Sequence, residues 1–139
     1  MKRSLALCLL LTFATPTVSF AQDAAPTSDA QQIISKQISA FERDDAVEAY
    51  SYAAPQIQAL FPDANLFLSM VASSYPAVHR HRSVEFGPGA EQEGRIVETV
   101  IFTDSDGQVW NALYKLEKQP EGGWKISGCV LAKSEQKGL

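Results

Sequence analysis

Apolar residues recur at helical spacing through the first half of this chain and at strand spacing through the second. Ile34, Ile38 and Phe41, with Ala30 one turn earlier, share one helical face. Ser28, with Gln31 three residues on, forms a capping-box pattern ahead of them. This predicts a first helix from Ser28. Asp44-Asp45 ends it and caps a second helix, whose apolar side is Ala46, Ala49, Tyr50 and Ala53 and which Pro55 stops or kinks. A short apolar stretch from Ile57 ends at Pro62-Asp63. Asp63 then caps a third helix, in which Phe67, Met70, Val71 and Ser74 repeat at three and four.

After Pro76 the period falls to two. His79 to Phe86 reads as a first strand and Gly87-Pro88-Gly89 as a break. Arg95 to Thr103 is rich in β-branched residues and predicts a second strand. Asp106-Gly107 marks a hairpin turn. Gln108 to Glu117 alternates as a third strand, Pro120 to Gly123 turns again, and Trp124 to Ala132 closes the meander. Gly128 inside the last strand suggests a bulge or bend. Helices segregated from antiparallel strands make an α+β domain. The expectation is N-terminal helices packed on a curved four-stranded antiparallel meander, cone-like in shape.

The ends of the chain carry a different kind of information. Lys2 and Arg3, the apolar run Leu5 to Leu11 and the small residues of Ser19-Phe20-Ala21 form the pattern of a secretory signal. The expected division is a signal peptide over 1–21 cleaved at Ala21-Gln22, a mobile leader over 22–27, one domain over 28–133, and a frayed tail over 134–139. The protein is thus expected outside the cytoplasm, periplasmic or extracellular. No apolar run is long enough to predict a membrane span. The chain has 12 basic and 16 acidic residues, and losing Lys2 and Arg3 makes it more acidic. It shows no basic cluster of the kind nucleic acid binding needs. Cys8 leaves with the signal, so Cys129 is expected to be a lone, buried, unreactive thiol.

Candidate chemistry is sparse. His79 and His81, two apart on a strand, would share a face and could offer two metal ligands. Two ligands do not complete a site, and a polar edge strand explains them as well. Asp104 and Asp106 resemble a fragment of a calcium loop, but Val109 and Trp110 follow where further oxygen ligands would be needed. No metal, cofactor or catalytic residue is therefore expected. Tyr50, Tyr75, Trp110 and Tyr114 are amphipathic aromatics that could line a pocket for a small apolar ligand. They suit an ordinary packed core equally well. Glu98 stands among Ile96, Val100 and Phe102. If it points inward it is a candidate general base. The rarity of unpaired buried glutamates favours an outward placement instead, with Val97, Thr99 and Ile101 inside.

Phe41 with Asp44-Asp45, then Pro55, Ile57 and Phe61, then Phe67, Met70, Val71, Tyr75 and Val78, begin a recognisable pattern. Asp106-Gly107, Trp110, Ala112 and Tyr114 continue it, and Trp124, Ile126, Gly128, Cys129 and Leu131 close it. In these residues the chain resembles an uncharacterised family of small exported bacterial proteins, catalogued as a domain of unknown function. The resemblance implies a nuclear-transport-factor-two-like, or cystatin-like, cone fold, and it brings no activity and no site residues. The combined expectation is a binding domain for a small apolar ligand or an envelope protein. One alternative is a cofactor-independent enzyme of the isomerase or hydratase type, with Glu98 or a histidine as base. The other is an interaction module that forms a homodimer.

Overall fold

The computed structural model describes residues 26–137, so the expected signal peptide lies outside the described residues. Five helices precede four strands among them: α1 (Pro26–Glu42), α2 (Ala46–Ser51), α3 (Pro55–Leu60), α4 (Ala64–Ser74), α5 (Pro76–His79), β1 (Ser83–Gln92), β2 (Arg95–Thr103), β3 (Gln108–Lys118) and β4 (Trp124–Lys137). The strands form one antiparallel sheet in the order β1-β2-β3-β4, with the helices packed on one face. This is the α+β meander that the change of period predicts.

Helix α1 is the central strut. Ala30, Ile34, Ile38 and Phe41 are buried along one face, while Gln32, Ser35 and Lys36 are exposed. The helix already includes Pro26 and Thr27, so Ser28 lies inside it rather than at its cap. It ends at Glu42, and the φ of 55° at Asp44 turns the chain out of the helical path. Asp45 then caps α2 by accepting a hydrogen bond from the Glu48 amide at 3.0 Å. Asp63 caps α4 through the Asn65 and Leu66 amides.

Two prolines act differently from the expectation. Pro55 and Pro76 each open a helix, α3 and α5, where the missing N–H costs nothing and the fixed φ suits the first turn. His79 therefore belongs to α5, and the first strand begins only at Ser83. Gly87-Pro88-Gly89 is not a break either. β1 runs through it as a bulge, the pairing shifting between Phe86 and Gly89. Pro88 is tolerated because β1 is an edge strand and needs no second ladder. The turn comes later, at Glu93-Gly94, where both residues have positive φ, as a two-residue hairpin requires. β4 continues to Lys137, beyond the expected end at Ala132.

Alternation along β2 fixes what faces the helices. Ile96, Glu98, Val100 and Phe102 point inward and are fully buried, whereas Val97 is 42% exposed. The outward placement expected for Glu98 is thus overturned. The physical reason is register: Phe102 and its apolar partners at period two outweigh the cost of one buried carboxylate. That carboxylate is partly compensated, since Gln31 Nε2 of α1 donates to Glu98 Oε1 at 2.9 Å. Oε2 has no hydrogen-bond partner among the described residues. It fits against β1 because residue 89 has no side chain: a Cβ there would lie 1.9 Å from Glu98 Oε2.

Gly89→Ala should therefore destabilise the fold by about 1–3 kcal/mol through overpacking. The same substitution made in a Glu98→Ala background should cost almost nothing. Urea unfolding of the four proteins of this cycle checks the coupling. Equal costs in both backgrounds would show that the glycine matters for backbone reasons alone.

Candidate functional site

The helical layer is fastened to the sheet through backbone. Ala54 N–H donates to Ile126 O at 2.7 Å and Ile126 N–H to Tyr52 O at 2.9 Å, making a parallel bridge between Ala53 and β4. Beside this seam α3, α4 and the inner face of β3 and β4 stand apart and enclose a cavity of about 280 Å³. Phe41, Ile57, Phe61, Phe67, Met70 and Val71 supply much of its apolar wall. Leu60 also lines it and is 72% exposed, which places it at the rim. No lining residue is charged.

The polar groups of the wall are few. Gln37 Nε2 donates to Ala49 O at 3.1 Å, so its amide N–H holds α1 to α2. The Tyr75 hydroxyl, from the junction of α4 and α5, donates to Cys129 O of β4 at 3.1 Å. Tyr114 and Cys129 sit opposite each other on β3 and β4. The Tyr114 hydroxyl is buried beside the Cys129 thiol, a weak acceptor, and has no partner at hydrogen-bonding geometry among the described residues. Burial raises the Tyr114 hydroxyl far above its ordinary pKa, and the neighbouring thiol adds to that. Burial likewise pushes the Cys129 thiol up to about 12, with a smaller opposing effect from the Tyr114 hydroxyl.

Cys129 points inward because of a bulge. The pairing shifts between Lys115 and Leu116, so Ser127 is extra on β4 and the strand changes face. Strict alternation would have put Ile126, Gly128 and Val130 on one side. Instead Cys129 faces the cavity and Val130 is 55% exposed. The thiol is half-buried rather than fully enclosed.

Of the four aromatics considered for a pocket, Tyr75 and Tyr114 line the cavity and Tyr50 and Trp110 do not. The Tyr50 hydroxyl donates to Phe61 O at 2.6 Å and approaches Gln58 O at 3.1 Å, while its ring packs on Phe67 behind the wall. Trp110 lies at the hairpin end of the sheet. Its Nε1 donates to Asp104 Oδ2 at 2.9 Å. Asp104 Oδ1 accepts from the Asp106 and Gln108 amides, so this carboxylate organises its own turn. The Trp110 bond, more than the amide bonds, holds the Asp104 carboxyl below its ordinary value. Sequence reasoning missed Gln37, Leu60 and the thiol's direction. Ile57, Phe61, Phe67 and Met70 were visible as an apolar series, without a signal that they face a void.

The histidines belong to a different junction. His79 Nε2 meets Asp44 Oδ1 at 2.8 Å, and Arg80 donates to Asp44 Oδ2 at 2.7 Å. The His79 bond, followed by that of Arg80, holds the Asp44 carboxyl below its usual range. His81 Nε2 meets Glu42 Oε1 at 2.8 Å, and its ring packs on Phe102. The two rings tie the end of α1 to the segment entering β1. They do not share a strand face as expected, because α5 and the link after it replace the start of the strand. Groups of acidic, histidine and cysteine side chains suited to a metal are absent among the described residues. Glu98 is not among the residues lining the cavity, which separates the best candidate base from the best candidate site.

A family model described as "Domain of unknown function (DUF4864)" matches residues 23–139. Among solved structures, an NTF2-like protein of unknown function from Shewanella baltica OS155 superimposes with a TM-score of 0.51 at 12% identity, covering 82% of this chain and 100% of that one. At that identity the likeness shows the fold alone, an NTF2-like cone. No curated protein matches the chain.

Cys129 should react slowly with alkylating reagents in the native protein. A thiol held at about 12, against 9.0 for a free one, has about a thousandfold less thiolate at any pH below 9. Because the folded value is raised, its contribution to stability is complete below 9.0 and is lost as pH rises from there toward 12. Iodoacetamide labelling of native and urea-unfolded protein at pH 8 measures the difference. Equal rates would show that the thiol is open to solvent.

Proposed function

We propose, for a chain that belongs to the DUF4864 family and so inherits no assigned activity, that it is an exported domain whose cone binds a small apolar molecule. The single observation that carries the reading is the cavity of about 280 Å³ with its uncharged lining. It is roughly twice the ~150 Å³ apolar void that takes up benzene in an engineered core, so a two-ring or medium-chain ligand is the matching size. Aromatic and aliphatic walls with a few fixed polar groups are the usual make-up of such sites. The rim at Leu60 and the half-buried state of Ile57, Phe61 and Met70 support access from that side. A covalent or acid–base role has less support, since the raised thiol is a poor nucleophile at neutral pH and Glu98 stands outside the lining.

Export rests on the N-terminal pattern of Lys2, Arg3, the Leu5 to Leu11 run and Ala21. An envelope location would bring the cavity into contact with lipids and other apolar solutes.

N-phenylnaphthylamine, a probe whose fluorescence rises in apolar surroundings, should bind saturably. Val71→Phe, which pushes a ring into the cavity, should weaken that binding by roughly tenfold while the melting temperature shows the fold retained. Unchanged binding in Val71→Phe would place the probe elsewhere and remove the support for the cavity. Separately, N-terminal sequencing of the protein recovered outside the cytoplasm should begin at Gln22. An uncleaved product confined to the cytoplasm would overturn the export part.

A further inference from the structure

Among the described residues, Tyr114 is the one member of the cavity wall whose buried side-chain oxygen has no hydrogen-bond partner. Its neighbours Tyr75 and Gln37 have their donors engaged by Cys129 O and Ala49 O. A hydroxyl buried without a hydrogen bond costs about as much as a lost bond, so its retention at the centre of an apolar inner face calls for a compensating partner. Among the described residues β2 does not supply it: across the register Tyr114 faces Glu98, whose Oε1 accepts from Gln31 of α1 and whose Oε2 lies against Gly89 of β1, and no hydrogen bond joins the two side chains. On the other side stands the Cys129 thiol, a weak acceptor and itself a weak donor.

We infer that the ligand of this cavity is neutral and carries one hydrogen-bond acceptor, a carbonyl or ether oxygen, which meets the Tyr114 hydroxyl beside Cys129 while the rest of the molecule fills the apolar part. The inference rests on the cavity being a ligand site. A neutral ligand follows from the lining, which has no lysine, arginine or histidine to balance an anion and no carboxylate to balance a cation. An acceptor follows from Tyr114 and Cys129 both keeping their protons at neutral pH, so that this corner offers O–H and S–H and no charge. Selection between two ligands of equal shape then depends on whether one of them satisfies a buried donor, the situation in which protein sites discriminate best.

Methyl naphthyl ketone and ethylnaphthalene have nearly the same shape and differ in the carbonyl oxygen. Isothermal titration of both into the full-length mature protein and into Tyr114→Phe tests the assignment. Removing the hydroxyl should weaken the ketone by roughly three- to tenfold and leave the hydrocarbon unchanged. The melting temperature of Tyr114→Phe should equal or exceed that of the wild type, because an unpartnered hydroxyl is removed. Equal effects of the substitution on the two ligands would overturn the acceptor assignment and leave the cavity reading standing. Failure of both ligands to bind the wild type would overturn both. If Tyr114→Phe lowers the melting temperature by several degrees, the hydroxyl has a partner within the protein and the inference falls.

Discussion

The backbone bridge between Tyr52–Ala54 and Ile126 is the contact from which the cavity is built. Two main-chain hydrogen bonds join a helical connection to the last strand, and they require the chains to approach closely. Ala53 and Ala54 are both buried, and a larger side chain at either would hold the strands of this seam apart. From the seam, Pro55 starts α3 directly, and Ile57, Leu60 and Phe61 swing across the space in front of β4. On the other side of the seam, β4 bulges at Ser127 and turns Cys129 toward Tyr114. One wall of the cavity and its polar corner thus follow from the same pair of hydrogen bonds.

The inner face of the sheet carries a row that most cores avoid. Glu98, Tyr114 and Cys129 are direct neighbours across β2, β3 and β4, flanked by Ile96, Val100, Ala112 and Leu116. Each unsatisfied buried polar atom costs about 1–3 kcal/mol. Three such atoms occur among the described residues: Glu98 Oε2, Tyr114 Oη and His81 Nδ1. Set against a total stability of about 5–15 kcal/mol, that is a large concession. Glu98 and Tyr114 have different structural outcomes. Glu98 is joined to α1 by Gln31 and held by the missing side chain at Gly89, so it serves the packing of the strut on the sheet. Tyr114 has no such tie and sits where the strut, α4 and β4 diverge.

The fold was legible where a local rule decides the outcome. Arg95–Thr103 has the observed bounds of β2, and the α+β order, helices first and strands after, follows from the switch of period after Pro76. The rest depended on contacts between distant segments. Pro55 reads as a stop or kink from the residues before it and Pro76 as the border of the strand half, and only the helices that follow show both as starts. Glu93-Gly94 turns the chain although glutamate is no turn signal, while β1 carries the expected break at Gly87–Gly89 as a bulge within the strand. Glu98 was misplaced because a rule about single residues was set against a rule about strand faces, and the face won. Tyr50 and Trp110 were grouped with Tyr75 and Tyr114 by residue type. Their hydroxyl and indole N–H found backbone and carboxylate partners near in sequence, at Phe61 and Asp104, which drew both away from the cavity.

That contrast explains why the hollow itself left so little trace in the sequence. Its lining comes from α1, α3, α4, α5, β3, β4 and the seam, and no segment contributes more than a few residues. Each segment looks amphipathic in the ordinary way, since a side chain facing a void obeys the same period as one facing a packed neighbour. What distinguishes the two is whether the opposite layer arrives. Here α3 buries none of its residues completely although half of them are apolar. A short helix started by proline and tethered at Ala54 cannot settle deeper without breaking the bridge to Ile126. Apolar surface left uncovered in this way forgoes roughly 25 cal/mol per Å². A ligand of matching shape recovers that energy, and the same constraint that keeps α3 raised would keep the space available to it.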